Sequence, residues 1–266
     1  MKLFISSDIE GTCGICDWDE TRITKPDYYN RFADQMSREV AAACRAAEES
    51  GRIEDILVKD AHGSARNIRF DMLPKSVRLF RGWERRPCGM MAGVEEADVV
   101  AMTGYHSNAF SLGNPLAHTI NLQNQWIKLN GQLCSEFMMN SYAAAYFGKP
   151  VIFVSGDEAL CAHAKELIPE IETAPVLYGR GNGSVSIHPE KAVELIHDRM
   201  AAALKKDVSR CLIKLPEHFV TEVQFREGHP AVKGSYYPGA KLADDRTVRF
   251  ESDDYFEVLR FYLFVL

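Results

Sequence analysis

Over roughly the first 160 residues of this 266-residue chain, short apolar runs alternate with helical patterns, the order expected of βαβ units. Leu3 to Ser7 predicts a first strand that delivers Asp8 at its carboxyl end. Phe32, Met36, Val40, Cys44 and Ala47 then recur at helical spacing, with Gly51 as the stop signal. Ile53 to Asp60 and Asp98 to Gly104 read as the next strands, centred on Ile56-Leu57-Val58 and Val99-Val100-Ala101-Met102. Gln125–Leu129 and Gln132–Cys134 flank Asn130-Gly131, a hairpin signal because both turn residues tolerate positive φ. Ser135 is placed to cap a helix reaching Phe147, which Gly148-Lys149-Pro150 ends. Val151 to Ser155 is a continuous apolar strand of the kind covered on both faces.

Further along, Asp157–Ile168 and Pro189–Leu204 read as helices, and Leu212–Leu215, Phe219–Phe225 and Thr247–Glu251 as strands. Tyr255–Leu266 reads as a terminal amphipathic or buried element. The Thr173–Ser186 stretch, with Gly179-Arg180-Gly181-Asn182-Gly183, is the expected mobile loop or lobe junction. The fold class that follows is α/β: a mostly parallel sheet flanked by helices, with a second, smaller α/β lobe. We expect a catalytic lobe over 1–175 and the second lobe over 176–266, with a single compact unit as the alternative.

Composition narrows the function classes. A net charge of −6 argues against a general nucleic-acid binder, which would carry a basic surplus and a basic face. No apolar run approaches the ~18 residues of a membrane span, and the first residues lack the pattern of a signal peptide. The seven scattered cysteines fit free thiols in a reducing compartment, so the cytoplasm is expected. Cys13-Gly14-Ile15-Cys16 has C-x-x-C spacing, but no second pair exists to complete a four-thiolate site.

The chemistry lies where acidic and imidazole groups fall. Asp8 and Glu10 sit two apart at the end of the first strand, so both face one side. Two like charges held close are costly unless a positive charge lies between them. The second strand runs into Asp60-Ala61-His62 and the third into Gly104-Tyr105-His106. Ligands collect at the carboxyl ends of parallel strands. Glu136 follows in the first turn of the helix after the hairpin. Taken singly, each has a plainer reading: a helix cap, a hydrogen-bonded structural histidine, a carboxylate at a helix N-terminus. Their coincidence at successive strand ends points to a metal site suited to zinc, or less selectively to manganese or cobalt. His118, in a loop shortly after His106, is a candidate general acid/base or nucleophile if that loop folds back over the site.

Ser6-Ser7-Asp8-Ile9-Glu10-Gly11 resembles the S-x-D-x-E-G signature of the DppA-type D-aminopeptidases, a family of metallopeptidases. The resemblance continues in order through Asp60-Ala61-His62, Gly104-Tyr105-His106, His118, the Asn130-Gly131 hairpin, Glu136 with Asn140, and Val151–Asp157, to Tyr237-Pro238-Gly239. It implies two zinc ions per subunit, with Asp8 bridging them, Glu10 and His62 completing one site, and His106 and Glu136 the other. His118 matches the residue proposed as nucleophile in that family. The resemblance also implies a ring-shaped homo-oligomer acting on short peptides or amino-acid amides, with D-configured N-terminal residues among the candidates. Ser135 departs from the glycine that the family tends to have there. The alternatives are a dinuclear hydrolase of another bond, such as a phosphoester, and a peptide-binding oligomer that keeps zinc only for structure. Structural zinc sites are usually closed and rich in cysteine, unlike this carboxylate-rich set.

Overall fold

The structure, a computed structural model, describes all 266 residues. Its larger sheet has seven strands: β1 (Lys2–Ser7), β2 (Asp55–Asp60), β3 (Val77–Phe80), β4 (Val99–Tyr105), β7 (Val151–Asp157), β8 (Glu172–Arg180) and β9 (Gly183–Ser186), in the order β3-β2-β1-β4-β7-β8-β9. All pairings are parallel except β8 with β9. The second sheet is antiparallel and draws on two stretches of chain: β5 (Asn124–Leu129) and β6 (Gln132–Leu133), then β10 (Phe219–Phe225), β11 (Lys241–Asp244) and β12 (Thr247–Ser252), in the order β11-β12-β10-β5-β6. The fold is therefore mixed α/β, with a mostly parallel sheet flanked by helices.

Burial explains the two strand vocabularies. Every residue of β4 and β7 is buried, because helices cover both faces of the sheet there. One of these faces carries α1 (Pro26–Glu49) and α4 (Pro189–Lys205), packed against each other; the opposite face carries α2 (Glu136–Tyr146) and α3 (Glu158–Leu167). Along α4 the buried positions are Ala192, Ile196, Met200, Ala203 and Leu204, one face of a 3.6-residue period. β10 instead alternates buried and half-buried positions, as a strand with one covered face does. The terminal helix α6 (Tyr255–Val265) packs on α2 and on the second sheet. No helix is long and apolar enough to cross a membrane.

Most predicted elements form within a residue or two of their expected bounds. The turn residues Asn130 (φ 50°) and Gly131 (φ 81°) both take the left-handed conformation that joins β5 to β6. Two readings are corrected. The Gly-rich 173–186 stretch is a hairpin of β8 and β9, turning through Gly181 at positive φ, rather than a mobile loop. Leu212–Leu215 is irregular chain after a short 3-10 turn, not a strand. There Leu212 is exposed and makes no ladder pairing, so its apolar run lacked a partner strand.

The order of strands places the chain's reversal between β1 and β4: β2 and β3 are added on one side of β1, and β7 and β8 on the other side of β4. A crevice opens outside the carboxyl ends of such a pair. The two ends approach closely. Asp8 N–H donates to Thr103 O at 2.9 Å and Gly11 N–H to Gly104 O at 2.8 Å. A Cβ on Gly11 would lie 1.8 Å from Tyr105 O, and one on Gly104 2.2 Å from Asp8 O. The glycine of the Asp-Ile-Glu-Gly stretch is thus a steric requirement of this crossing.

Glu39, inside α1, is 1% exposed and receives the Cys13 amide (3.0 Å) and Gln35 Nε2 (3.0 Å) on one oxygen, while its other oxygen has no partner. Burial pushes its pKa up to about 7. The folded state must then bear an unfavourable ionisation. This cost is absent below the unfolded value near 4.5, grows as pH rises, and is complete above about 7. Glu39→Gln is accordingly expected to stabilise the protein at pH 8 by up to roughly 3 kcal/mol, with the difference vanishing near pH 4.5, the unfolded value. Chemical denaturation at the two pH values checks it; equal effects at both would contradict it.

Candidate metal centre

Three carboxylates and three imidazoles converge outside the ends of β1, β2 and β4. Asp8, Glu10, His106 and Glu136 are each at most 3% exposed, and His62 and His118 are half-buried. Asp8 stands between two histidines: its Oδ1 is 3.2 Å from His62 Nδ1 and its Oδ2 is 3.4 Å from His106 Nε2. Glu10 Oε2 is 3.0 Å from His62 Nδ1. On the other side Glu136 Oε1 lies 3.6 Å from His106 Nε2 and 3.7 Å from His118 Nε2. Ligand atoms of Asp8, Glu10 and His106 lie within 4.8 Å of one another, and so do those of His106, His118 and Glu136.

Backbone carbonyls decide which way each ring faces. His62 Nε2 meets Thr21 O at 3.0 Å, His106 Nδ1 meets Ser107 O at 2.9 Å, and His118 Nδ1 meets Leu116 O at 2.9 Å. A carbonyl only accepts, so each of these nitrogens carries the proton. In a neutral ring the other nitrogen then presents a lone pair to carboxylate oxygens. Lone pair against carboxylate is repulsive unless a proton or a metal ion lies between. Glu10 Oε2 and His106 Nε2 are moreover buried without a hydrogen-bond partner, a state that costs free energy when nothing fills it.

With protons as the only cations, the charges respond accordingly. Burial alone would raise the Asp8 pKa, but the close approach and charge of His106 and His62 hold it well below the usual carboxylate range. Burial works to lower His62 and His106, yet Glu10 with Asp8, and Glu136 with Asp8, hold both well above the ordinary imidazole value.

The surroundings hold these groups in place. The Ser135 hydroxyl caps α2 by accepting the Met138 amide at 3.1 Å, so Glu136 enters at the helix N-terminus, where the macrodipole favours a negative charge. The Ile120 amide donates to Glu136 Oε1 at 2.6 Å, and to do so this β-branched residue takes φ 67°, a sparsely populated conformation. Asn114 ties the His118 loop to the acidic strand end: its Nδ2 donates to Glu10 O at 2.9 Å and its Oδ1 accepts the Leu116 amide at 2.8 Å. His118 stacks on His106 with ring centres 4.4 Å apart, and the Trp18 ring meets it edge-on at 5.2 Å. Beneath the floor, Tyr105 Oη joins Ser6 Oγ (2.6 Å) and Asn140 Nδ2 (3.0 Å).

All six residues singled out in the sequence are thus brought together. Trp18, Thr21, Asn114 and Ile120 carried no sequence signal for this role, because Thr21 and Ile120 act through the backbone and Trp18 and Asn114 through loop packing. Cys13 is buried with its thiol pushed up to about 12, first by burial and then by Glu39, and Cys16 is also raised; both thiols are free. Neither has the lowered pKa of a redox thiolate.

The sequence pattern of the D-aminopeptidase family (Peptidase_M55) matches residues 1–264. This chain belongs to that family. It is 28% identical over 260 residues to the D-aminopeptidase of Bacillus subtilis (strain 168), covering 97% of this chain and 93% of the relative. Among solved structures it is similar to the Zn-dependent D-aminopeptidase DppA from Bacillus subtilis, described as a self-compartmentalizing protease. The TM-score is 0.92 at 26% identity, over 100% of this chain and 96% of that one. The protein is a metallo-aminopeptidase, a hydrolase of peptide bonds.

Metal and proton compete for the same lone pairs. In the metal-free protein the raised His62 and His106 values contribute stability that is full below the unfolded value of 6.5 and lost as pH rises through the folded values. Metal binding requires the deprotonated rings, so full loading with divalent transition-metal ions is expected to displace about two protons below those values, one from each ring. Calorimetric titration in buffers of different ionisation enthalpy measures that number. Binding with no proton release at neutral pH would contradict the arrangement.

Proposed function

We propose that this enzyme removes D-configured N-terminal residues from short peptides and amino-acid amides, using two zinc ions held by Asp8, Glu10, His62, His106 and Glu136. The observation that carries this reading is the orientation of the imidazoles: each turns its N–H outward to a backbone carbonyl and its lone pair inward onto carboxylates. A mixed set of carboxylate and imidazole donors suits zinc in a hydrolytic rather than a structural site. Asp8, Glu10 and His62 would hold one ion, and Asp8, His106 and Glu136 the other; Asp8 turns one oxygen toward each histidine.

Bound zinc supplies Lewis acidity toward the scissile carbonyl and acidifies water. The chain's own groups do the rest. His118 is assigned proton transfer at Nε2. Its Nδ1–H is pinned by Leu116 O, its ring is sandwiched between His106 and Trp18, and Nε2 faces the same cavity as the carboxylates. The cavity, about 520 Å³, sets apolar side chains such as Met139 and Leu259 beside the reacting groups. DppA is described as self-compartmentalizing; by that likeness a ring-shaped homo-oligomer is proposed here as well.

Release of D-alanine from D-alanyl peptides is expected to stop on chelation and return with zinc. His118→Ala is expected to lower kcat by about 100-fold or more with zinc content unchanged. Activity that survives chelation, or an alanine variant as fast as the parent enzyme, would contradict the proposal.

A further inference from the structure

We propose that Arg22 and Arg86 clamp the free C-terminal carboxylate of the substrate, so that the enzyme selects di- and tripeptides with an unblocked carboxyl end; this rests on the aminopeptidase reading above. The cavity has two chemically distinct ends. Its floor is the buried carboxylate–imidazole cluster, with Asp8, Glu10 and Glu136 side chains at most 4% exposed. The side chains of Arg22 and Arg86 are 51% and 71% exposed, which places them at the mouth. They are the only lysine or arginine residues lining the cavity, and they arrive from separate segments. Arg22 follows Thr21, the residue whose carbonyl orients His62, and Arg86 lies on the loop after β3.

Neither guanidinium makes a hydrogen bond. Their nearest carboxylates, Asp19 and Glu84, stay 3.8 Å away. Three other arginines hold their partners closely: Arg69 lies 2.8 Å from Asp34, Arg78 2.6 Å from Asp55, and Arg260 2.8 Å from Glu257. The two at the mouth are therefore free to accept a carboxylate, which the planar guanidinium fork matches in geometry. Trp18, Trp83, Met139 and Leu263 line the cavity with apolar surface. Trp83 is fixed by its Nε1–H on Gly63 O at 2.8 Å and by Lys59 Nζ 4.3 Å from its ring. A cavity of about 520 Å³ suits a small ligand. Each further extended residue moves the carboxylate on by ~3.4 Å; the long, exposed arginine side chains can follow one such step from dipeptide to tripeptide, and longer peptides would carry their carboxylate past the pair.

The test compares D-alanyl-D-leucine and D-alanyl-D-alanyl-D-leucine with their C-terminal amides. The expected kcat/KM ratio of acid to amide is about tenfold, a transition-state preference of ~1.4 kcal/mol, expressed mainly in KM because the carboxylate is remote from the scissile bond. In the double variant Arg22→Gln/Arg86→Gln the ratio is expected to fall toward one, with an unchanged melting temperature. Arg85→Gln, on a neighbouring residue outside the cavity lining, is expected to keep it. Equal rates on acid and amide in the unaltered enzyme, or a ratio that survives the double change, would overturn the clamp while leaving the aminopeptidase reading intact. Failure to cleave any of the four compounds would overturn both.

Discussion

Carboxylates that share a buried space repel one another, and the rest of this structure is arranged around that repulsion. Asp8, Glu10 and Glu136 are brought into one interior cluster at the reversal point of a parallel sheet, almost without access to solvent. In such surroundings three negative charges are untenable without compensating positive charge. The compensation available within the chain is protonation of His62 and His106. Their outward N–H groups are already committed to backbone carbonyls, so the inward positions are left for cations. The same geometry therefore serves protons when metal is absent and metal when it is present.

That arrangement makes demands on distant parts of the chain. The ends of β1 and β4 can meet only because Gly11 and Gly104 lack side chains, and the meeting aims Asp8 and His106 at each other. Glu136 comes from the opposite direction, at the start of a helix, and is held there by an Ile120 amide whose backbone is strained to reach it. The His118 loop is secured to Glu10 through Asn114 and, behind that, to the buried Asp157, which accepts the Ser107 amide at 2.6 Å and caps α3. The acidic strand end and the loop bearing His118 are thus parts of one hydrogen-bonded unit.

Much of the parallel sheet was legible in the sequence because its central strands are buried on both faces and stand out as apolar runs. Strand ends then placed Asp8, His62 and His106 at a common edge without any knowledge of their contacts. The Asn130-Gly131 turn and the Ser135 cap were readable because each rests on local backbone chemistry. Interactions that depend on distant segments were not readable. Nothing near Thr21 shows that its carbonyl orients His62, 41 residues away, and nothing near Trp18 shows that it walls His118. The strands of the antiparallel sheet are interleaved with the rest of the chain, since β5 pairs with β10 some ninety residues later. Short β3 and β11 escaped notice because four-residue edge segments carry too little pattern. The Gly-rich hairpin of β8 and β9 was mistaken for a loop because its glycines, which permit the turn, also weaken the strand signal.

We propose that the cluster holds two metal ions that share Asp8. Crystals grown with zinc and measured on both sides of its absorption edge test this most directly. Two anomalous peaks per subunit are expected: one among Asp8 Oδ1, Glu10 and His62, the other among Asp8 Oδ2, His106 and Glu136. A single peak, or peaks away from Asp8, would contradict it.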